Sequence, residues 1–176
     1  MKNKLVISFF VIACQFLVAC ENKNPNTNAG GEDILTVHEI DTPIERERLS
    51  YYDTIYVPIY SDIYVNSSNR SSLLAATLSI RNTSLRDSLF ISTIDYFNTK
   101  GDLVRSYLEK PIVLMPLESV DYVIEKEDDA GGSGANFILT LSANHADINP
   151  VIQAVMIGND GNKGFAFSTE GYSICK

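Results

Sequence analysis

Apolar and polar residues alternate with a period of two over much of the chain, beginning at residue 51. In residues 51–65 (YYDTIYVPIYSDIYV), most odd positions carry aliphatic side chains and four even positions carry tyrosines. Successive side chains of an extended chain point to opposite faces, so this segment predicts a strand with one aliphatic face and one phenolic face. Pro58 has no N–H to donate, and we therefore expect the strand to lie at a sheet edge or to be broken there.

Short apolar stretches recur along the rest of the chain and are separated by residues typical of turns. They cover residues 74–80, 89–97, 103–108, 120–125, 137–142, 151–157 and 164–168. About 7–8 strands with almost no helical periodicity predict an antiparallel all-β fold, and an immunoglobulin-like β-sandwich buries two apolar faces economically. The residues predicted to share its core include Phe137, Leu139, Leu141, Val155 and Ile157.

The N-terminal segment, residues 1–19, follows a different pattern. Lys2 and Lys4 precede an apolar run over residues 5–19, which is shorter than the ~20 residues that a membrane-spanning helix needs. A positive start, a short apolar core and small residues at its end are typical of a secretory signal peptide. An uncleaved anchor helix and an ordinary signal followed by a chance cysteine are the alternatives.

The end of this run, Leu17-Val18-Ala19-Cys20, resembles the bacterial lipobox. The resemblance implies that a lipid with palmitate-type acyl chains is attached to the sulfur of Cys20, and that cleavage follows Ala19. It also implies a location in the cell envelope, at the outer membrane or the periplasmic face, with the lipid as the contact to the membrane.

The sequence therefore divides into four segments. These are the lipoprotein signal peptide (1–19), the lipidated cysteine and tether (20–33), a lead-in arm (34–50) and the β-sandwich domain (51–176). The tether (ENKNPNTNAGGED after Cys20) has no bulky apolar side chain, so we expect it to be flexible and at most ~45 Å long. In the arm, Thr42-Pro43-Ile44-Glu45 has the spacing of a capping box, which predicts one or two helical turns; an extended arm on the sheet is the alternative.

Charge excludes one class of partner. The chain has 14 basic and 22 acidic residues, a net charge of −8. Removing residues 1–19 takes away two lysines and no acid, which leaves 12 basic residues and a side-chain charge of −10. Such a charge repels nucleic acid, and the basic residues are scattered instead of forming a stripe. We therefore expect no nucleic-acid partner.

Nucleophilic and metal-binding residues are few. Cys14 leaves with the signal and Cys20 takes the lipid, so Cys175 is the one thiol expected in the mature chain, with no internal disulfide. The two histidines, His38 and His145, lie in polar segments. A catalytic triad needs a histidine base and a metal site usually needs three or four ligands. The sequence therefore predicts no catalytic residue, no metal site and no cofactor. The alternative is a metal site to which His145 and Asp147 would supply two of the ligands.

A glycine-rich loop, residues 128–137 (DDAGGSGANF), supplies one candidate binding site. The candidate residues are Gly131, Gly132, Ser133, Gly134 and Asn136. Such loops can bind phosphate through backbone N–H groups, but this one lacks the Lys-Ser/Thr of a P-loop and follows several acids. A plain connecting loop, or a cation site at Asp128 and Asp129, are the other interpretations. A glycine at positive φ here is expected to resist replacement by alanine.

The phenolic face supplies a second candidate site. Tyr52, Tyr56, Tyr60 and Tyr64 recur every four residues. Tyrosine combines contact area with a polar tip and is enriched where proteins bind partners. A face covered by a neighbouring segment is the alternative, because single surface aromatics are common.

Four sequence blocks together resemble one protein family. They are residues 56–61 (YVPIYS), 74–83 (LAATLSIRNT), 131–137 (GGSGANF) and 154–158 (AVMIG). The chain is similar, over about residues 51–174, to bacterial exported proteins grouped as domain of unknown function 3124. The resemblance implies export and a single β domain, and it implies no activity.

The sequence thus favours a lipid-anchored, non-enzymatic binding module of the cell envelope, with an envelope protein or a glycan as partner. An envelope hydrolase and a metal-binding lipoprotein are the alternatives. A hydrolase needs a nucleophile with a base, and a metal carrier needs clustered ligands.

Overall fold

Eleven β-strands and one 3-10 turn form the regular structure of the described residues in a computed structural model of the protein. The residues described are 39–41, 44, 46–66, 68 and 71–175. The predicted signal peptide, Cys20, the tether and the capping-box residues Thr42, Pro43 and Glu45 lie outside them. The strands are β1 (Tyr51–Pro58), β2 (Asp62–Tyr64), β3 (Ser71–Arg81), β4 (Leu89–Phe97), β5 (Leu103–Ser106), β6 (Ile112–Leu114), β7 (Ser119–Ile124), β8 (Asn136–Ala143), β9 (Val151–Asp160), β10 (Lys163–Glu170) and β11 (Tyr172–Cys175).

The strands form two antiparallel sheets. In the first sheet the order is β11-β1-β8-β4-β5, and β6 also pairs with β4. In the second sheet the order is β10-β9-β3-β2, and β7 also pairs with β3. The all-β antiparallel sandwich predicted from the alternation is confirmed, although the described part has more strands than the seven or eight expected.

The core lies between the two sheets, and alternate residues of each central strand enter it. In β1 the buried aliphatic residues are Ile55 and Val57, and in β8 the large buried apolar residues are Phe137, Leu139 and Leu141, all at most 5% exposed. The apolar residues that β3 and β9 of the second sheet contribute are Leu74, Ala76, Leu78, Ile80, Ile152, Ala154 and Met156. Because one face of each central strand is largely buried and the other is more exposed, the period of two in the sequence translates directly into the sandwich.

In β9 the predicted core residues were wrong by one position. Val155 and Ile157 are 42% and 55% exposed, whereas Ala154 and Met156 are fully buried. The strand carries apolar residues at both parities, so periodicity alone does not fix which set faces inward. The register decides it, since Ala154 pairs with Leu78 and Met156 with Ala76, two positions of β3 that are themselves buried.

The chain crosses from one sheet to the other at the predicted break. β1 ends at Pro58, and β2 begins at Asp62 in the other sheet. Pro58 is not on an edge strand, because β1 lies between β8 and β11. The crossing is fixed by Ile59, whose N–H donates to Ala135, and by Ser61, whose carbonyl accepts from the N–H of Leu74 at 2.9 Å.

The end of the lead-in arm contacts the first sheet. Glu39 forms a β-bridge with Ile112, and the N–H of Ile40 donates to the carbonyl of Pro111 at 3.0 Å. Lys110 lies 2.8 Å from Asp41, and this hydrogen bond and charge lower the pKa of the Asp41 carboxyl. A 3-10 turn follows at Arg46–Arg48. No helix in the part of the chain that the structure describes is long and apolar enough to cross a membrane.

Candidate functional site

Three tyrosines lie on the outer face of the first sheet, and we call them the tyrosine face: Tyr52, Tyr56 and Tyr172. Tyr56 pairs directly with Tyr172 of β11. Residues opposite each other in an antiparallel pair share a face with their Cβ atoms about 5 Å apart, so these two side chains are neighbours. Tyr172 is 60% exposed and Tyr52 is 40% exposed. The sheet therefore presents phenol rings to solvent at its β1–β11 edge.

Polar side chains surround the tyrosine face on the same side of the sheet. Thr54 pairs with Thr140, and Thr140 accepts a hydrogen bond from the hydroxyl of Thr93 at 2.9 Å. On the row of Tyr56, the partner across β8 is Asp95 of β4, which accepts a 2.6 Å hydrogen bond from Ser106. The outer face thus combines phenols, hydroxyls and one carboxylate with apolar side chains, among them Ile138, which lies between Tyr56 and Asp95.

The other two predicted tyrosines do not join this face. Tyr60 lies at the crossing between the sheets and packs edge-on against Phe167, with ring centroids 5.7 Å apart. Tyr64 is 63% exposed on β2, which belongs to the second sheet. The break after Pro58 separates Tyr60 and Tyr64 from the first sheet. Of the four tyrosines spaced four residues apart, only Tyr52 and Tyr56 therefore share a face.

A shallow pocket of about 350 Å³ adjoins Tyr52, between the sheet and the arm residues Ile44 and Leu49. Its floor contains the hydroxyls of Ser92, Thr93, Thr140 and Ser142. Ser142 is 1% exposed, and its hydroxyl has no hydrogen-bond partner. The arm has a 3-10 turn at Arg46–Arg48, and the helical turns predicted at the capping box stay a prediction because Thr42, Pro43 and Glu45 lie outside the described residues.

The glycine-rich loop is tightly bonded to its surroundings. Its Gly131 carbonyl accepts from the N–H and the hydroxyl of Thr99, at 2.8 and 3.0 Å. Its Gly132 carbonyl accepts from the N–H of Ser61 at 3.1 Å, and the N–H of Gly134 donates to Thr99 at 2.9 Å. These bonds tie the loop to the β4–β5 turn and to the crossing between the sheets.

Two of the glycines have a steric reason to be glycine. Gly132 has φ +75°, a conformation that side chains disfavour. A Cβ on the buried Gly131 would lie 1.9 Å from the Tyr96 hydroxyl and 2.5 Å from that of Ser61. Those two hydroxyls hydrogen-bond each other at 2.8 Å. The other loop candidates, Ser133 and Asn136, are half-buried. The contacts explain the glycines, and a ligand role for the loop stays a prediction.

The acids before the glycines do not converge on a cation. Asp128 forms an ion pair with Arg105 at 3.0 Å. The Arg105 guanidinium also donates to Tyr107 and lies 5.6 Å from the centroid of its ring. Burial raises the Tyr107 pKa, against the lowering effect of Arg105. The Nε2 atom of His145 lies 3.5 Å from a carboxylate oxygen of Asp87. No group of three metal-ligating side chains occurs among the described residues.

A cleft of about 750 Å³ opens at one end of the sandwich, between β1, β9 and β11. We call it the acidic cleft, because its charged lining residues are Asp53 and Glu170. Asp53 is 3% exposed and accepts hydrogen bonds from Ser173 at 2.7 Å and from Tyr51 at 3.4 Å. Burial, then the charge and the hydrogen bond of Asp53, raise the pKa of Tyr51 to about 12. Tyr51 therefore remains a neutral donor.

Sequence reasoning missed two residues of these surfaces. Tyr172 joins the tyrosine face through the pairing of β11 with β1, which no local pattern reveals. Asp53 had a local signal: it occupies an odd position of the β1 pattern, on the parity of the buried Ile55 and Val57. A charged residue at a core-facing position is unusual enough to have been singled out.

Comparisons with known proteins give a family and one similar structure. A search of curated proteins found no match. Among solved structures, the crystal structure of Thermotoga maritima 1070 is similar, with 14% identity, a TM-score of 0.41, and coverage of 68% of this chain and 92% of that chain. The model of the family described as Protein of unknown function (DUF3124) matches residues 43–174. That match spans most of the chain, as the four sequence blocks predicted, and the protein therefore belongs to this family.

Proposed function

We propose that the protein is a lipid-anchored binding module of the cell envelope, and that its tyrosine face binds an envelope glycan. The observation that carries the binding part is the pairing of Tyr56 with Tyr172 on an open sheet face. The anchoring part rests on the signal pattern and the lipobox resemblance that ends at Cys20.

The chemistry of the face suits a sugar. A pyranose ring has an apolar C–H face and a rim of hydroxyls. Phenol rings offer a flat apolar surface with a polar tip, and they lose little conformational entropy on binding. The hydroxyls of Thr54, Thr93 and Thr140 and the carboxylate of Asp95 lie on the same face, where they can hydrogen-bond the rim.

The shape of the site also favours binding over catalysis. The face is a sheet surface open to solvent, whereas catalysis needs a positioned nucleophile with a base and a site that excludes water. On this face, the described polar residues include hydroxyls, the Asp95 carboxylate and the exposed thiol of Cys175, which pairs with Thr54, and they include no histidine that could serve as a base.

Co-sedimentation with insoluble polysaccharide isolated from the native envelope tests the proposal. The fraction of protein that sediments, measured over a range of polysaccharide concentrations, gives an apparent affinity. We expect this affinity to fall at least tenfold in the double variant Tyr56→Ala/Tyr172→Ala. Tyr64→Ala is the control, because that tyrosine is as exposed as Tyr172, at 63% against 60%, but lies on the second sheet. Melting curves of all variants show whether loss of binding is loss of fold.

Two results would overturn the proposal. One is sedimentation that is unchanged in the double variant. The other is equal loss in the Tyr64→Ala control, which would indicate binding elsewhere on the domain.

A further inference from the structure

The carboxylate of Asp53 is buried in the acidic cleft without a charge partner. It is 3% exposed, and its hydrogen-bond partners are two neutral hydroxyls. Among the described residues, no Lys, Arg or His forms an ion pair with it. An isolated buried carboxylate is strongly unfavourable unless a cation or several hydrogen bonds compensate it. The cleft beside it offers the space in which a cation can supply that compensation.

The rest of the cleft lining agrees with a cationic ligand. Its second charged residue is Glu170, which is held by a 3.0 Å hydrogen bond from the amide of Gln153. The described residues of the lining include no basic one. The ring of Tyr51 adds a face that attracts cations, and Ile148 and Ile152 give the cleft an apolar wall. A ligand with a positive head and an apolar stem matches this arrangement.

The geometry distinguishes between kinds of cation. A metal ion prefers three or more ligating side chains, and no such group exists in the described part of the chain. A guanidinium binds carboxylates best through two parallel hydrogen bonds. Here Ser173 already occupies one oxygen of Asp53, Tyr51 lies near the other, and little of the carboxylate is open. A compact ammonium on a flexible stem needs a smaller opening.

We propose that the acidic cleft is a binding site for an alkylammonium group, with the ammonium on Asp53 and the alkyl stem against Ile148 and Ile152. The ammonium can belong to a small free amine or to a lysine-like side chain of a peptide, since both carry the same head and stem. The cleft borders the proposed glycan surface at Tyr52, which lines both, but neither proposal depends on the other.

Titration of the mature, detergent-solubilised protein with n-pentylamine tests the site, with 1-pentanol as the uncharged ligand of similar length. Saturable binding of the amine, read from calorimetry or from Tyr51 resonances, is the expected result. Replacing Asp53→Asn is expected to weaken amine binding at least tenfold, because the amide keeps an acceptor for Ser173 but removes the charge.

A second pair of variants keeps the test valid if Asp53→Asn fails to fold. Ala146 is exposed on the cleft lining. Ala146→Lys places a competing cation at the site and is expected to weaken amine binding, whereas Ala146→Gln has similar bulk and is expected to leave it within about twofold.

A lysine-containing tripeptide, compared with its norleucine analogue, identifies the source of the ammonium. Tighter binding of the lysine peptide than of pentylamine indicates a peptide ligand, and the reverse indicates a small amine; both support the site. Equal binding of pentylamine and 1-pentanol would overturn the proposal. So would amine binding that neither Asp53→Asn nor Ala146→Lys changes.

Discussion

Replacing Gly131 with alanine should disrupt the packing of the glycine-rich loop against the hydroxyls of Tyr96 and Ser61. The added Cβ would lie 1.9 Å from the hydroxyl oxygen of Tyr96, 2.5 Å from that of Ser61 and 2.8 Å from the Cβ of Ala135. Real Cβ atoms do not approach other atoms this closely, so something must move. Tyr96 is fully buried and its ring packs on Phe137 at 5.5 Å, which leaves it little room.

Two contributions set the size of the effect. Overpacking a well-filled interior costs about 1–3 kcal/mol. Separating the buried hydroxyls of Ser61 and Tyr96, now 2.8 Å apart, costs about 1–3 kcal/mol more, because neither can reach water. The free energy of unfolding should therefore fall by about 2–6 kcal/mol for Gly131→Ala, with a melting temperature lower by on the order of 10 °C.

A double-mutant cycle with Tyr96→Phe tests the cause. This change removes the nearest obstructing atom, so Gly131→Ala should cost at least ~1 kcal/mol less in the Tyr96→Phe background. Gly101→Ala is the control: Gly101 has φ +84° but nothing within 4 Å of its Cβ position. It should therefore show a backbone cost of roughly 1 kcal/mol, which Gly131 does not incur because its φ is not positive, and none of the steric overlap.

Urea unfolding followed by far-UV circular dichroism provides the free energies. A loss below ~1 kcal/mol for Gly131→Ala would refute the close approach of the loop to Tyr96. Strict additivity with Tyr96→Phe would show that the two residues do not meet, and the loop would then be a slack connector.

Three further predictions concern the anchor, the register and the pH dependence. Cys20→Ser should abolish metabolic lipid labelling and leave an uncleaved precursor, because serine lacks the thiol that accepts the lipid; unchanged labelling would contradict the lipoprotein assignment. Met156→Ala should lower the free energy of unfolding by about 2–5 kcal/mol, whereas Val155→Ala should change it by at most ~0.5 kcal/mol, and the opposite order in urea titrations would mean that β9 faces the other way. Burial raises the pKa of the Tyr122 and Tyr96 phenols above the ordinary 10.0, so the unfolded chain loses these protons first. Stability should be constant just below pH 10 and fall above it by up to about 1.4 kcal/mol per pH unit for each phenol, and Tyr122→Phe should reduce that slope; a slope unchanged by this variant would argue against the burial effect.

The sequence predicts the sandwich well because its main signal is local. Alternation within β1, β3 and β8 records directly which side of each strand is buried. The signal fails in β9, where residues of both parities are apolar and the pairing with β3 chooses between them. Pro58 shows the reverse case: a chemical property of one residue, the missing N–H, correctly marks where the strand must break.

The candidate sites are less predictable because they form from distant segments. The neighbour of Tyr56 on the exposed face is Tyr172, which is more than a hundred residues away in the chain. Gly131 is constrained by Tyr96 and Ser61, neither of which is near it in sequence. Local composition is enough to predict the glycine-rich loop and the phenolic face of β1. The contacts of both with distant residues depend on the topology, which local composition does not reveal.

Site-specific photocrosslinking in intact envelopes tests the proposed function most directly. A benzophenone amino acid is placed at position 56 of the lipidated protein and, in a separate variant, at position 64. The two positions sample the two sheets, and the control position 64 is the more exposed of the two. The proposal predicts a crosslinked adduct from position 56 that glycosidase digestion removes, and a much weaker adduct from position 64. An adduct from position 64 alone, or adducts from position 56 that a protease removes and a glycosidase does not, would contradict glycan binding at the tyrosine face.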